Sequence, residues 1–174
     1  MTGILACRDA REAAKSDRLP FLVAGGLVMS LTSFLEAEGY RRIPLSRNGV
    51  GHFEAAGTLA GRAIRVLIDT GAASTVVSLS LARELGLTVA SLGRMGGGAG
   101  GAQLEVFQLA GAEIKLEGAT PRPTALYAMD LSHVNAALAS KGATPVEAIL
   151  GVDVFDRQAA VIDYATSSLF LKDG

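Results

Sequence analysis

Asp69 is a charged residue at a position where the sequence predicts an apolar, buried environment. It follows the apolar run 66–68 and is followed at once by Thr70 and Gly71. Such a run predicts a strand buried on both faces, so Asp69 is expected to leave a dry environment where the backbone turns. A carboxylate there is costly unless partners manage its charge, and such carboxylates are typical of active sites, where they move protons.

Taken alone, the tripeptide Asp-Thr-Gly predicts only a turn, because Asp and Gly are both turn formers. Its surroundings favour a catalytic loop. The apolar run precedes it, and a second β-type run, residues 74–78, follows it. The sequence therefore predicts a loop held between two strands.

Residues 66–75 resemble the active-site loop of the aspartic proteases. The family hallmark is two hydrophobic residues followed by Asp, Thr or Ser, Gly, and Ala or Ser, and Asp69, Thr70, Gly71 and Ala72 fit it in order. Because Asp-Thr-Gly occurs once in the 174 residues, the chain is most similar to the single-domain, retropepsin-like proteases of the bacterial kind. Those proteases obtain the second Asp by forming a symmetric homodimer.

The resemblance covers about residues 49–172 and implies a fold. It is a mainly β, retropepsin-like acid-protease β-barrel with one or two short helices, assembled as a homodimer. Residues 40–174 are expected to form the protease domain, preceded by an N-terminal segment, residues 1–39. Two terminal strands within 159–172 suit a dimer seam.

The resemblance also implies an activity, hydrolysis of peptide bonds with Asp69 as the catalytic residue of each subunit. Two carboxylates about 3 Å apart share one proton, so one activates water while the other hydrogen-bonds the peptide carbonyl. In the family the Thr70 hydroxyl bonds across the dimer, Gly71 allows close backbone approach and Ala72 leaves room for substrate. No cofactor is needed.

A glycine-rich stretch lies where a retropepsin carries its flap, the hairpin that closes over substrate. Substrate binding is assigned there to Gly96, Gly97, Gly98, Ala99, Gly100 and Gly101. A plain flexible loop is the alternative. The spacing of the glycines also fits a dinucleotide fingerprint, but the segment that follows has the alternating character of a strand.

Ile149, Leu150 and Gly151 fit the family's apolar-apolar-Gly stretch, which runs past the active-site loop and braces it. Retroviral members commonly carry Arg or Asn after this glycine, whereas Val152 and Asp153 follow it here. Asp153 either supplies a loop-bracing contact or caps a short helix, and we favour the cap.

The composition argues against several classes of protein. Sixteen Lys and Arg against 17 Asp and Glu give a net charge of −1, with both signs scattered, so a nucleic-acid partner is not expected. Cys7 is the single cysteine and cannot form an intrachain disulfide. No metal site is predicted, since His52 and His133 are the two available imidazoles and are expected at the surface.

The uncharged apolar run 19–35 has three interpretations. It is a signal sequence or weak membrane anchor, or Met29 is the natural start, or residues 31–38 form a helix that packs on the domain or its dimer mate. We favour a packed or extraneous segment over a membrane one. A cytoplasmic location is accordingly favoured, with a membrane-anchored or periplasmic one as the alternative.

Alternation and turn residues predict the remaining elements. Strands are predicted at residues 51–59, 62–68, 75–78, 104–109, 113–116 and 124–129, and helices at residues 79–85 and 130–142.

The expected partner is a peptide or protein substrate. Pockets lined by Leu, Val and Ile would favour hydrophobic side chains around the cut. The alternative function is a catalytically silent retropepsin-fold module for dimerisation or peptide binding. The intact Asp69 favours the enzyme.

Overall fold

The computed structural model describes residues 20–22, 28–97 and 103–173. These residues form fourteen strands and four helices, so the prediction of a mainly β fold is confirmed. The described residues contain four helices, whereas one or two short ones were predicted.

In chain order the elements are β1 (Pro20–Leu22), β2 (Val28–Ser30), α1 (Leu31–Ala37), β3 (Tyr40–Pro44), β4 (Ser46–Arg47), β5 (Phe53–Leu59), β6 (Arg62–Ile68), β7 (Val76–Ser78), α2 (Leu79–Glu84), β8 (Thr88–Gly97), β9 (Gln103–Ala110), β10 (Ile114–Leu116), β11 (Tyr127–Met129), α3 (Ser132–Ala139), β12 (Ala148–Leu150), α4 (Val152–Arg157), β13 (Val161–Asp163) and β14 (Ser168–Lys172).

The described strands form three sheets. The largest has the order β10-β5-β6-β12-β7-β11-β9-β8, with β4 paired to β5. A second has the order β13-β14-β3, and β1 pairs with β2. The path of the large sheet is open at β10 and β8, each of which pairs with one neighbouring strand. The predicted closed barrel is therefore not found in the described part of the chain.

The short strand β12 lies at the centre of the large sheet and brings together two segments that carry predicted site residues, those around Asp69 and Gly151. It pairs parallel with β6, with Leu150 opposite Ile68, and antiparallel with β7, with Ile149 opposite Val76. Because the parallel strands β6 and β12 end at the same edge, the residues that follow them, Asp69 and Gly151, come to lie side by side.

Two apolar clusters support this arrangement. The larger contains fully buried residues of β3, β5, β6 and β12, including Ile43, Leu59, Val66 and Leu150. The smaller lies beside α3 and is built from Leu67, Val76, Leu131, Leu138, Ala143, Val146 and Ile149. Burial of such aliphatic side chains contributes about 1.5–3 kcal/mol each, so both clusters fix the strands that carry the site.

The two predicted terminal strands are confirmed as β13 and β14. Leu169, Phe170 and Leu171 are buried, and β14 pairs with β3 over five positions from Ser168–Pro44 to Lys172–Tyr40. This pairing joins residue 40 to the end of the chain.

The turn between β13 and β14 depends on a charged carboxylate. Burial raises the pKa of Asp163, but hydrogen bonds from the Thr166 hydroxyl at 2.6 Å and the Ala165 N–H at 2.8 Å outweigh it and hold the pKa below its usual value. A depressed pKa stabilises the fold above the unfolded value near 3.9, and this stabilisation is lost as pH falls through the lower folded value.

We expect Asp163→Asn to lower the free energy of unfolding by about 1 kcal/mol at pH 7. At pH 2.5 the difference from the wild type should shrink, because the carboxyl is then protonated in the unfolded state and the advantage of the charged folded form declines as pH falls toward the lowered folded pKa. Urea titrations at both pH values measure this, and a penalty that grows on acidification would contradict the assignment.

Within the N-terminal segment, α1 occupies Leu31–Ala37, inside the range 31–38 where a helix was one of the interpretations. Thr32 and Leu35 are buried, and the Ser30 hydroxyl accepts a hydrogen bond from the Ser33 N–H as an N-cap. None of the described helices has the length and apolar character needed to cross a membrane. Residues 1–19 and 23–27, including Cys7, lie outside the described residues.

Candidate active site

The backbone turns sharply at Asp69, directly after β6. The Asp69 N–H donates to the Leu150 carbonyl at 3.1 Å, and the Ala72 N–H donates to the Asp69 carbonyl at 3.2 Å. The Gly71 N–H donates to Asp69 Oδ1 at 2.8 Å. One carboxylate oxygen of Asp69 thus accepts a hydrogen bond from the main chain of its own loop. This bond fixes the orientation of the carboxylate.

The Asp69 side chain opens onto a groove of about 680 Å³. Most of the lining is apolar, and Asp69 is the one acidic residue among the described residues that line it. Asp69 is half-buried and Thr70 is exposed. Within the described residues Oδ2 accepts no hydrogen bond, so this oxygen is available to a water molecule or a second carboxylate.

The turn between β12 and α4 clamps the loop from the other side. The Val152 N–H donates to the Ala72 carbonyl at 2.8 Å. The loop is thus tied at both of its ends, to the last residue of β12 through Leu150 at Asp69 and to the first residue of α4 through Val152 at Ala72.

Gly151 allows the loop to pass at contact distance. A Cβ on this residue would lie 2.7 Å from the Ala72 carbonyl oxygen and 2.7 Å from both the carbonyl carbon and oxygen of Ser74. All three are backbone atoms, which cannot rotate away as a flexible side chain would. The predicted bracing residues Leu150 and Gly151 therefore lie directly against the Asp69 loop, whereas Ile149 lines the groove.

Asp153 makes a contact with the loop and does not cap α4, so the favoured prediction of a cap was wrong. Gly151 occupies the N-cap position, and no side chain caps this helix. Asp153 Oδ1 instead accepts a hydrogen bond from the Thr75 hydroxyl at 2.8 Å, and the same hydroxyl oxygen accepts one from the Gly151 N–H at 3.1 Å. Asp153 Oδ2 is buried and has no hydrogen-bond partner among the described residues.

The glycine-rich segment begins at the end of a long hairpin. β8 and β9 pair antiparallel up to Gly97 opposite Gln103. Gly96 packs tightly, since a Cβ on it would lie 2.8 Å from Val106 Cγ2 and 3.1 Å from Met129 Cε. A strand follows the glycines, which contradicts the helix that a dinucleotide fingerprint requires. Gly98, Ala99, Gly100 and Gly101 lie outside the described residues.

The helix α3 forms one wall of the groove, which the sequence did not suggest. Leu138 belongs to the smaller apolar cluster, and Val134, four residues before it, packs against that cluster. His52 is exposed, as expected, and His133 is partly buried. Both line the groove, as do Arg94 and Lys141. The spacing of Val134 and Leu138 was the available signal for a packed face, but it did not show which cavity that face borders.

Residues 55–154, more than half of the chain, match the sequence profile of a family described as aspartyl protease. The chain belongs to the aspartyl protease family. The match includes β6, the Asp69 loop and β12, and it confirms the resemblance inferred from residues 66–75. Membership supports a protease-type function.

Other proteins are similar to this aspartyl protease family member over part of its length. An uncharacterized protein in the cobV 5′ region of Sinorhizobium sp. is 34% identical over 71 residues, which are 41% of this chain and 30% of that protein. The chain thus matches less than a third of that relative.

Two solved structures were also found. The retroviral protease-like domain of Ddi1 from Leishmania major is 17% identical, with a TM-score of 0.47, over 70% of this chain and 88% of that one. A retropepsin-like aspartic protease from Rickettsia conorii is 21% identical, with a TM-score of 0.47, over 76% of this chain and 98% of that one.

The Thr75 hydroxyl holds the loop of this aspartyl protease family member by two hydrogen bonds, so its removal should weaken the fold. We expect Thr75→Val to lower the free energy of unfolding by about 2–3 kcal/mol, since it leaves the Gly151 N–H and the Asp153 carboxylate without this buried partner. Urea unfolding measures this. The matched control is Thr58→Val on β5, because Thr58 makes no side-chain hydrogen bond to the described residues. Equal losses in both variants would contradict the bracing role.

Among residues 20–22, 28–97 and 103–173, no group of three or more His, Cys, Asp or Glu side chains is arranged to hold a metal ion.

Proposed function

We propose that the chain is an aspartic endopeptidase in which Asp69 residues from two copies of residues 40–174 form one active site. The observation that supports this most is the half-site. Asp69 is the one carboxylate among the described residues lining the groove, while the chemistry needs two. A symmetric dimer supplies the second without any further sequence.

The two Asp69 carboxylates share one proton, because two like charges in contact cannot both ionise. The ionised carboxylate takes a proton from a water molecule while the oxygen of that water attacks the peptide carbonyl carbon. The protonated carboxyl donates a hydrogen bond to the carbonyl oxygen. As the C–N bond breaks, a carboxyl proton passes to the leaving nitrogen, so no covalent intermediate with the enzyme forms.

The loop geometry suits this mechanism. The Gly71 N–H holds Oδ1 at 2.8 Å and so fixes the carboxylate plane before substrate arrives. Thr70, which is exposed at the loop, is placed in this proposal to bond across the dimer, and Ala72 lines the groove beside the substrate.

The substrate is an extended peptide in the groove beneath the β8–β9 hairpin. Main-chain hydrogen bonds would provide affinity and the pockets side-chain preference. Leu67, Val76 and Ile149 line the groove, so apolar side chains are favoured next to the scissile bond. The six residues from Gly96 to Gly101 form the flap in this proposal.

The proposal is tested by cleavage of an unfolded protein substrate over pH 3–8 and over a range of enzyme concentration. We expect the activity per chain to rise with concentration until dimer formation is complete, because the monomer holds half a site. The pH profile should be bell-shaped, since one carboxyl must be protonated and one ionised. Activity per chain that stays constant at concentrations where sedimentation shows only monomer would contradict the paired site.

A further inference from the structure

The groove carries basic side chains that the proposed chemistry does not use. Four basic residues line it, His52, Arg94, His133 and Lys141, against the single carboxylate of Asp69. The chain as a whole has a net charge of −1. The groove therefore has the opposite charge balance from the rest of the protein.

Arg94 is held at the groove without a carboxylate partner. Its guanidinium carbon lies 5.4 Å from the centre of the Tyr127 ring, and Tyr127 also lines the groove. The ion pairs among the described residues do not include Arg94. An aromatic ring positions a guanidinium without neutralising it, so its charge remains available to a ligand.

Lys141 lies just beyond the carboxyl-terminal end of α3, which ends at Ala139. The next residue, Gly142, has its carbonyl oxygen 3.5 Å from where a Cβ of Gly49 would lie, so this end of α3 contacts the loop that leads to His52. That loop is ordered by Asn48, whose Oδ1 accepts hydrogen bonds from the N–H groups of Val50 at 3.1 Å and His52 at 3.0 Å. Lys141 makes no ion pair with the described residues.

His133 is a weaker candidate for recognition of an anion. Histidine, unlike arginine and lysine, is not a permanent cation at neutral pH. The two permanent cations, Arg94 and Lys141, are therefore the principal groups. Arg94 packs on Tyr127 of β11, the strand that leads into α3, whereas Lys141 follows α3, so the two reach the groove from different elements.

We propose that the groove selects extended peptides whose apolar scissile segment is flanked by acidic side chains, with Arg94 and Lys141 as specificity-determining residues. This inference rests on the proposed peptidase function for the cut itself. Acidic side chains on both sides of the apolar scissile segment would meet these two cations at the groove. Complementary charge of this kind gives specificity and repels basic peptides.

The test uses three labelled peptides that differ only at these two flanking positions, with Glu, Gln or Lys. Binding is measured by fluorescence anisotropy on the Asp69→Asn protein, and kcat/KM is measured on the wild type. We expect the Glu peptide to bind about tenfold more tightly than the Gln peptide at low salt, and the Lys peptide to bind most weakly. The advantage should fall toward about twofold in 1 M NaCl, where charges are screened beyond about 3 Å.

The variant with both Arg94→Gln and Lys141→Gln should bind the Glu and Gln peptides with nearly equal affinity. A matched control carries Arg83→Gln and Lys115→Gln. Arg83 also stacks on an aromatic ring, that of Phe107 at 5.5 Å, but neither control residue lines the groove. The control should keep the full preference for Glu.

The outcomes separate the two proposals. Equal binding of the Glu and Gln peptides to the Asp69→Asn protein, loss of the preference in the control variant, or no binding of any peptide would each overturn the acidic specificity. Binding with the expected preference, but no cleavage of any peptide by the wild type, would support the specificity and count against the peptidase.

Discussion

Replacing Asp69 with Asn is expected to lower kcat/KM for peptide cleavage by about 10³-fold or more, to the limit of detection. An amide can neither take a proton from water nor share one with a second carboxylate. The fold should be retained, because the amide oxygen of the introduced side chain can still accept the Gly71 N–H that now bonds Asp69 Oδ1 at 2.8 Å.

The matched control is Asp156→Asn on α4. Asp156 is exposed, does not line the groove and makes no side-chain hydrogen bond to the described residues. Its variant should cleave within twofold of the wild-type rate. Equal activity of the Asp69 variant and the wild type, with the fold verified by near-UV circular dichroism, would remove Asp69 from the chemistry.

The second large effect is expected from Gly151→Ala. The added methyl group would overlap the backbone of Ala72 and Ser74 at 2.7 Å, so the Asp69 loop must move. Gly151 has φ −106°, which any residue adopts, and the penalty is therefore one of steric overlap. We expect a loss of about 3 kcal/mol or more in the free energy of unfolding. The folded fraction of the variant should show at least a 100-fold loss of kcat/KM.

Gly49→Ala serves as the matched control for stability. A Cβ at Gly49 would meet its nearest atom, the Gly142 carbonyl oxygen, at 3.5 Å, which is an ordinary van der Waals distance. This control should cost less than about 1 kcal/mol. Similar losses in the two glycine variants would show that the loop does not depend on close approach at Gly151.

Sequence periodicity predicted the elements whose residues carry their own pattern. The prediction of a strand at 62–68 matches β6, and that of a helix at 79–85 matches α2 within one residue. β3 was not predicted as a separate strand, because it contains two arginines and is held by pairing with β14, more than a hundred residues away. β8 was also missed, since its glycines indicate a loop while β9 supplies the pairing that makes it a strand.

The residues of the site also fall into those that the sequence predicted and those that it did not. The Asp69 loop and Gly151 could be chosen from the sequence because their residue types follow the hallmark of a known family. The role of Asp153 could not, since its contact with Thr75 joins residues 78 positions apart. Nor could the basic lining of the groove, because Arg94 and Lys141 come to line one groove only through the packing of β8, β11 and α3.

The most direct test of the paired site is a mixing experiment. Wild-type protein and the Asp69→Asn variant are combined at constant total concentration, allowed to exchange subunits, and assayed for cleavage, with Asp156→Asn as the mixing control. If each site needs two Asp69 residues, activity follows the square of the wild-type fraction, and an equal mixture retains about a quarter of the wild-type activity. If one chain suffices, activity falls linearly to about half, and the account of a site shared between two copies is wrong.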